Sequence, residues 1–208
     1  KQGVSLYGGF NGTESALSER DWLKNPVILT GDLLGNDSGA LGWDEPTRQD
    51  NSLHILVTGS GMTVSDILDG FVISGGHDNA QWSGSAGLLL NDPLTIRNCT
   101  FRMNSTNYGA AMIVNNNSVI EDCIFENNYA AGGAALSTGA NAQKKRCVFR
   151  NNTAFNYGGA IYNTGGNTSV SECFFEGNSS YNAPGIYAGY SGAITVINSV
   201  FSGNASSG

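Results

Sequence analysis

One phrase, written five times, limits what this chain can become. It reads "CTFRMNSTNYGAAM" from Cys99, "CIFENNYAAGGAAL" from Cys123, "CVFRNNTAFNYGGAI" from Cys147, "CFFEGNSSYNAPGI" from Cys173 and, shortened, "SVFSGN" from Ser199. Its phenylalanines fall at Phe101, Phe125, Phe149, Phe175 and Phe201, in steps of 24, 24, 26 and 26 residues. A fixed period of this size marks a solenoid, whose repeats bury their apolar faces only by stacking on one another. Leucine-rich repeats share the period but need several leucines per copy, and these copies have few.

The apolar stretches within a copy are too short for a helix. "SVI" precedes the Cys, "CIF" runs through the Phe and "GAAL" follows the glycines. If Ile120 points inward and Glu121–Asp122 form a corner, then Cys123 and Phe125 alternate inward while Ile124 faces out, as period-two strands require. The expected fold is therefore all-β: a right-handed parallel β-helix, with three short strands per coil of about 24–26 residues and roughly six to seven coils in all.

Stacking in register makes a further demand on charge. Like charges directly above one another repel, so each vertical column should alternate. The column after each Phe reads Arg102, Glu126, Arg150, Glu176, Ser202. Before the cysteines the columns read Arg97, Glu121, Lys145, Ser171 and Asn98, Asp122, Arg146, Glu172. Signs alternate wherever charged neighbours meet, so these columns specify register more than stability.

The column Asn104, Asn128, Asn152, Asn178, Asn204 is expected to be a structural ladder. Asn tolerates left-handed backbone, and its amide both donates and accepts from coil to coil. N-x-S/T sequons at Asn98, Asn104, Asn151, Asn178 and Asn204 follow from an Asn- and Ser-rich composition. Glycines at Gly109, Gly132–Gly133, Gly158–Gly159 and Gly185 supply turns, and Ala110, Ala134 and Ala160 leave room for the rings. Cys99, Cys123, Cys147 and Cys173 share the inward face. A file of buried thiols, one or two disulfides and a metal site are its three readings, the first preferred because parallel Cα–Cβ vectors at every level suit a plain column of thiols, and the last disfavoured because a straight ladder offers no convergent ligands.

The 208 residues include 29 glycines and carry a net charge of −7, unevenly placed. Eleven acids oppose four bases in residues 1–83, whereas residues 84–208 hold six of each. An acidic chain without clustered Lys and Arg excludes nucleic acid as the expected partner. No run of eighteen apolar residues exists, so no direct membrane insertion by this segment is expected. The chain reads as one continuous domain and a fragment of a longer chain: residues 1–83 an N-terminal cap and first irregular coils with acidic loops, residues 84–208 the regular repeats. "VILTGD" from Val27, "HILVTG" from His54 and "ILDGFVISGG" from Ile67 supply three strand-like runs of one coil. "SALSERDWL" offers a short helix to the cap, which covers the open edge of the first coil.

The alternation of "FENN" and "FRNN" with "GGAAL" and "GGAI" resembles the repeats of the chlamydial polymorphic membrane proteins and of related bacterial surface β-helix proteins, over about residues 85–208. The lead-in motifs "YGGFNGTE", "NPVILTGD" and "LDGFVISGG" are similar to those of large secreted proteins of Bacteroidetes-like bacteria. The resemblance implies a surface-exposed or secreted adhesive passenger at the bacterial outer cell surface, with signal and anchor elsewhere in the parent chain.

Polysaccharide lyases and glycoside hydrolases share this architecture and make the rival expectation. Hydrolysis needs two carboxylates at a set separation, and β-elimination needs a base beside a neutralised uronate. No catalytic residue, cofactor or metal is assigned. Asp66 and Asp69 in "SDILDG", and Asp32, Asn36 and Asp37 in "GDLLGNDSG", are the Ca²⁺ candidates, but neither has the EF-hand or nonapeptide spacing. His54 and His77 lack a partner carboxylate in sequence. Tyr108, Tyr157, Tyr162, Tyr181, Tyr187 and Tyr190, with Trp82, form the candidate sugar-stacking face. The function expected is a rigid non-catalytic stalk or adhesin binding a glycan or protein partner; the alternatives are a carbohydrate-active enzyme and a pure spacer.

Overall fold

A computed structural model of the chain describes residues 3–79, 84–114, 117–139, 141–189 and 191–206. All strand pairing in it is parallel, and each strand pairs with the equivalent strand one coil away, so the fold is a parallel β-helix. One coil shows the path. Val119–Glu121 lies on face 1, Ile124–Glu126 on face 2, Tyr129–Gly132 on face 3 and Leu136–Thr138 on face 4. Faces 1 and 2 are seven-stranded sheets, and faces 3 and 4 are six-stranded. Five coils carry all four strands. They lie between a first coil without a face 3 strand and a last one without a face 4 strand.

Coils thus have four strands, where three were expected. The unforeseen strand is the one after the ladder Asn, "YAAG" in this coil, which reads in sequence as turn punctuation. It pairs because its inward residues, Ala130 and Ala154, are small enough to close the narrow side of the helix. "ILDGFVISGG" likewise splits into two strands, Ile67–Asp69 and Phe71–Ser74, around Gly70 at φ +83°. The helix expected in the cap is a single 3₁₀ turn, Leu17–Glu19.

Corners explain where the strands stop. The residue before each cysteine-column position is left-handed: Asn98, Asp122, Arg146, Glu172 and Asn198 have φ between 47° and 56°. A second left-handed residue precedes each ladder Asn, namely Met103, Asn127, Asn151, Gly177 and Gly203. Hence Glu121 belongs to the strand and the corner is Asp122–Cys123, not Glu121–Asp122. The ladder asparagines are not themselves left-handed, so hydrogen bonding alone keeps that column.

That bonding is complete. Asn128 donates through Nδ2 to Phe101 O at 3.0 Å and to Asn152 Oδ1 at 2.9 Å, and its backbone N–H reaches the same Oδ1 at 3.2 Å. The pattern recurs from Asn104 to Asn204, and Asn104 and Asn178 are buried, out of reach of a glycosylating enzyme. Beside the ladder the rings stack. Phe125 and Phe149 lie 5.0 Å apart and 7° from parallel, and the file extends from Phe101 to Phe201. The charge columns pair as their signs demand: Arg146 bonds Asp122 twice at 2.6 Å, and Arg150 meets Glu126 at 2.6 Å. One expected column is corrected. Ala160 stands over Ala135, not Ala134, because the coil between them is longer. Ala110 and Ala134 pack instead with Ala130 and Ala154 in a separate alanine cluster.

Candidate functional site

The Ca²⁺ candidates are already spoken for by protein donors. Asp32 caps its own loop, accepting from Gly35 N at 2.7 Å and Asn36 N at 3.2 Å, and Asn36 contributes only that backbone group. Asp37 turns inward to Arg48 at 2.7 Å and to Asn51. Buried Asp66 accepts from Val4 N at 2.7 Å and Thr63 N at 2.8 Å; these bonds, Thr63 foremost, hold its carboxyl below the usual range. Burial pushes Asp69 up, but Arg20, Asn98 and Arg97 outweigh it and keep it ionised. Among the described residues no group of three His, Cys, Asp or Glu side chains is disposed to hold a metal ion.

The long loop between Thr30 and Leu56 folds over the outside of face 3. Arg48, fully buried, donates to Gly76 O at 3.1 Å and Met103 O at 2.7 Å while pairing with Asp37. Beneath it His77 shares a 2.6 Å bond with Ser105 Oγ, and burial, then Arg48, pushes its pKa down. His54 bonds Ser85 O at 2.7 Å. Both histidines thus hold backbone or neighbouring side chains in place. Nothing in the sequence of so polar a loop marks Arg48 as its anchor.

Lys144 was legible and missed. Its neighbours Lys145 and Arg146 face solvent, but strand alternation places Lys144 inward, in file with Ile120 and Val170. It is wholly enclosed. Its Nζ lies 3.3 Å from Thr138 Oγ1 and 3.4 Å from both Ala142 O and Thr168 Oγ1, with no carboxylate among the described residues in contact, and burial lowers its pKa to about 7. Close by, the four column cysteines are buried free thiols, and burial pushes Cys123 and Cys147 well above the ordinary thiol value.

Aromatic residues gather where faces 3 and 4 meet. Tyr157 packs against Tyr187 at 4.7 Å and Tyr162 at 6.0 Å, and Tyr162 against Tyr187 at 5.4 Å. Tyr108, Asn156, Tyr157 and Tyr162 line a cleft of about 130 Å³ floored by Ala131 and Gly132. A Cβ at Gly132 would sit 3.3 Å from the Tyr162 ring, which would have to give by a few tenths of an ångström. Tyr157 is 39% exposed, Tyr181 62% and Phe155, which the sequence reading passed over, 68%. Trp82 and Tyr190 lie outside the described residues.

No curated protein and no solved structure matches the chain. The family described as "Right handed beta helix region" matches residues 49–175 and 84–208 in two overlapping alignments, which supplies the handedness of the coil seen here. On that match, over well more than half of its length, the chain belongs to the right-handed β-helix family.

Proposed function

We propose that this chain is a rigid, non-catalytic segment of an extracellular or outer-surface bacterial protein, an adhesin-like stalk that engages a glycan through the Tyr108–Tyr157–Tyr162–Tyr187 cluster. The reading rests on one observation: aromatic rings are gathered at the corner of a stacked scaffold beside a cleft, with Tyr108 and Tyr157 exposed to solvent. Sugar C–H faces stack on such rings, and Asn156 at the cleft offers both a donor and an acceptor for hydroxyls. Strand pairing above and below fixes the rings, so little side-chain entropy is lost on binding. The surface location and the polymorphic membrane protein-like relationship rest on the FxxN and GGAI motifs.

A glycan array followed by titration of the best ligand tests the proposal. Tyr157→Ala and Tyr187→Ala should each weaken binding about tenfold, the loss of one stacking contact and its apolar area. Binding indifferent to both substitutions overturns the site. Release of unsaturated uronides or reducing ends from pectin, alginate or chondroitin by purified protein overturns the non-catalytic reading, and an array blank at every glycan leaves the spacer as the better account.

A further inference from the structure

Face 2 carries a pattern that its own coil does not need. The outward residue of its strands is apolar at Ile28, Val72, Ile124, Val148, Phe174 and Val200, with Thr100 the one polar member. The corresponding outward file on face 1 is Ile67, Thr95, Val119, Gln143, Ser169 and Thr195, polar at four of its six positions. The face 2 file runs between two charge columns, Arg102–Glu126–Arg150–Glu176 on one side and Asp122–Arg146–Glu172, below Asn98, on the other. An apolar strip rimmed by charge is the anatomy of an interface rather than of a solvated sheet.

We infer that face 2 is the dimerisation surface of this chain, two copies packing face to face with their solenoid axes antiparallel about a two-fold axis that passes between the coils of Ile124 and Val148.

The charges select this arrangement. With the dyad there, Glu126 of each copy faces Arg150 of the other, Arg102 faces Glu176, and in the second column Asp122 faces Arg146 while Asn98 faces Glu172. Arg102 and Glu176 make no salt bridge within the chain among the described residues, and the dyad brings each to an opposite charge. The next positions outward carry no unpaired charge: Ser74 stands against Ser202, and Gly70, overlain by Trp22 and by Arg20 clamped on Asp69, against Asn198. Every contact is therefore complementary or neutral. Parallel packing would instead set Asp122 on Glu126, Arg146 on Arg150 and Glu172 on Glu176. Moving the dyad half a coil, onto Glu126, sets that carboxylate against itself and Arg102 against Arg150. Like-charge juxtaposition costs several kcal/mol, so both are rejected.

The area limits the strength. Six coils overlap, about 24 Å by about 13 Å between the two columns, or about 300 Å² per copy at ordinary strand and residue spacings. That is below the size of stable complexes, so the dimer is weak and reversible. Pairing through face 2 leaves the tyrosines between faces 3 and 4 uncovered, so two copies would present two such clusters.

Sedimentation equilibrium from ~10 to ~500 μM, the range in which a small interface declares itself, tests the inference. Wild type should show a monomer–dimer equilibrium that weakens with salt. Glu126→Arg and Arg150→Glu should each weaken it at least tenfold, and an equimolar mixture of the two should recover it, because every facing pair is then opposite in sign. Val148→Lys, a half-exposed position outside the charge ladders, should abolish it, whereas Gln143→Lys on face 1 should leave it intact; circular dichroism confirms the fold of each. A wild type monomeric throughout, a dimer indifferent to Val148→Lys, or a tighter dimer in Glu126→Arg, which parallel packing predicts, would overturn the inference.

Discussion

Replacing Lys144 by Met tests whether a cation is buried in the solenoid, and the structure sets the size of the effect. The side chain stands in an apolar file between Ile120 and Val170 and is wholly enclosed. Its three polar neighbours, Thr138, Ala142 and Thr168, suit a neutral amine, which donates twice and accepts once, better than an ammonium that needs a counter-charge. With a folded pKa of about 7 against 10.5 for a solvated lysine, the unfolded chain binds one more proton than the folded chain between those two pH values. Stability must therefore rise with pH across that window, by up to about 1.4 kcal/mol per unit and about 5 kcal/mol in total. Below pH 7 both states are protonated and the penalty is constant. Half-titration at pH 7 trims the gain, so between pH 7 and pH 9 it is about 2 kcal/mol.

Two of the four buried thiols work in the opposite sense. Cys123 and Cys147 are raised by burial, so the unfolded chain loses their protons first and stability falls once the pH passes the ordinary thiol value. The assay is accordingly a difference: urea unfolding of wild type and Lys144→Met at pH 7 and pH 9, in which the thiol contribution cancels apart from the interaction of Lys144 with Cys147 and Cys173. Wild type should gain about 2 kcal/mol on the variant between the two. Curves that stay parallel within about 0.5 kcal/mol would refute the argument, since Lys144 would then titrate alike in both states.

Asn152→Ala should cost about 3 kcal/mol by urea unfolding, because it strips the acceptor from Asn128 N–H and Nδ2 and the donor from Phe125 O and Asn178 Oδ1 in a buried ladder. Met103→Asn should stabilise by roughly 0.5–1 kcal/mol, since Met103 is left-handed at φ 53° where the next two coils use Asn127 and Asn151; a thermal midpoint unchanged or lowered would count against corner strain as the cause.

Columns are legible in a sequence because stacking repeats the same environment at every coil. The Phe, Cys and Asn files and the alternating charges all follow from one period and one rule about neighbours, and each appears in the structure where the spacing puts it. Ala160 slipped by one position because a period averages over coils of unequal length.

Strand alternation, applied with equal strictness to "KKR", places Lys144 inside; reading the charge as a sign of exposure hides it. The fate of the acidic lead-in was different in kind. Whether Asp37 faces a cation or Arg48, and whether Asp69 is free or clamped between Arg20 and Arg97, depends on residues 11 to 49 positions away in the chain. No local pattern encodes such distances. The sequence by itself determined the repeat, the register of its Phe, Cys, Asn and charge columns and the direction those residues face, because these are set by nearest neighbours along and between near-identical coils. Only the tertiary structure decided which carboxylates are consumed, where the long loop lies and which tyrosines meet, because those contacts are made once, between segments that share no period.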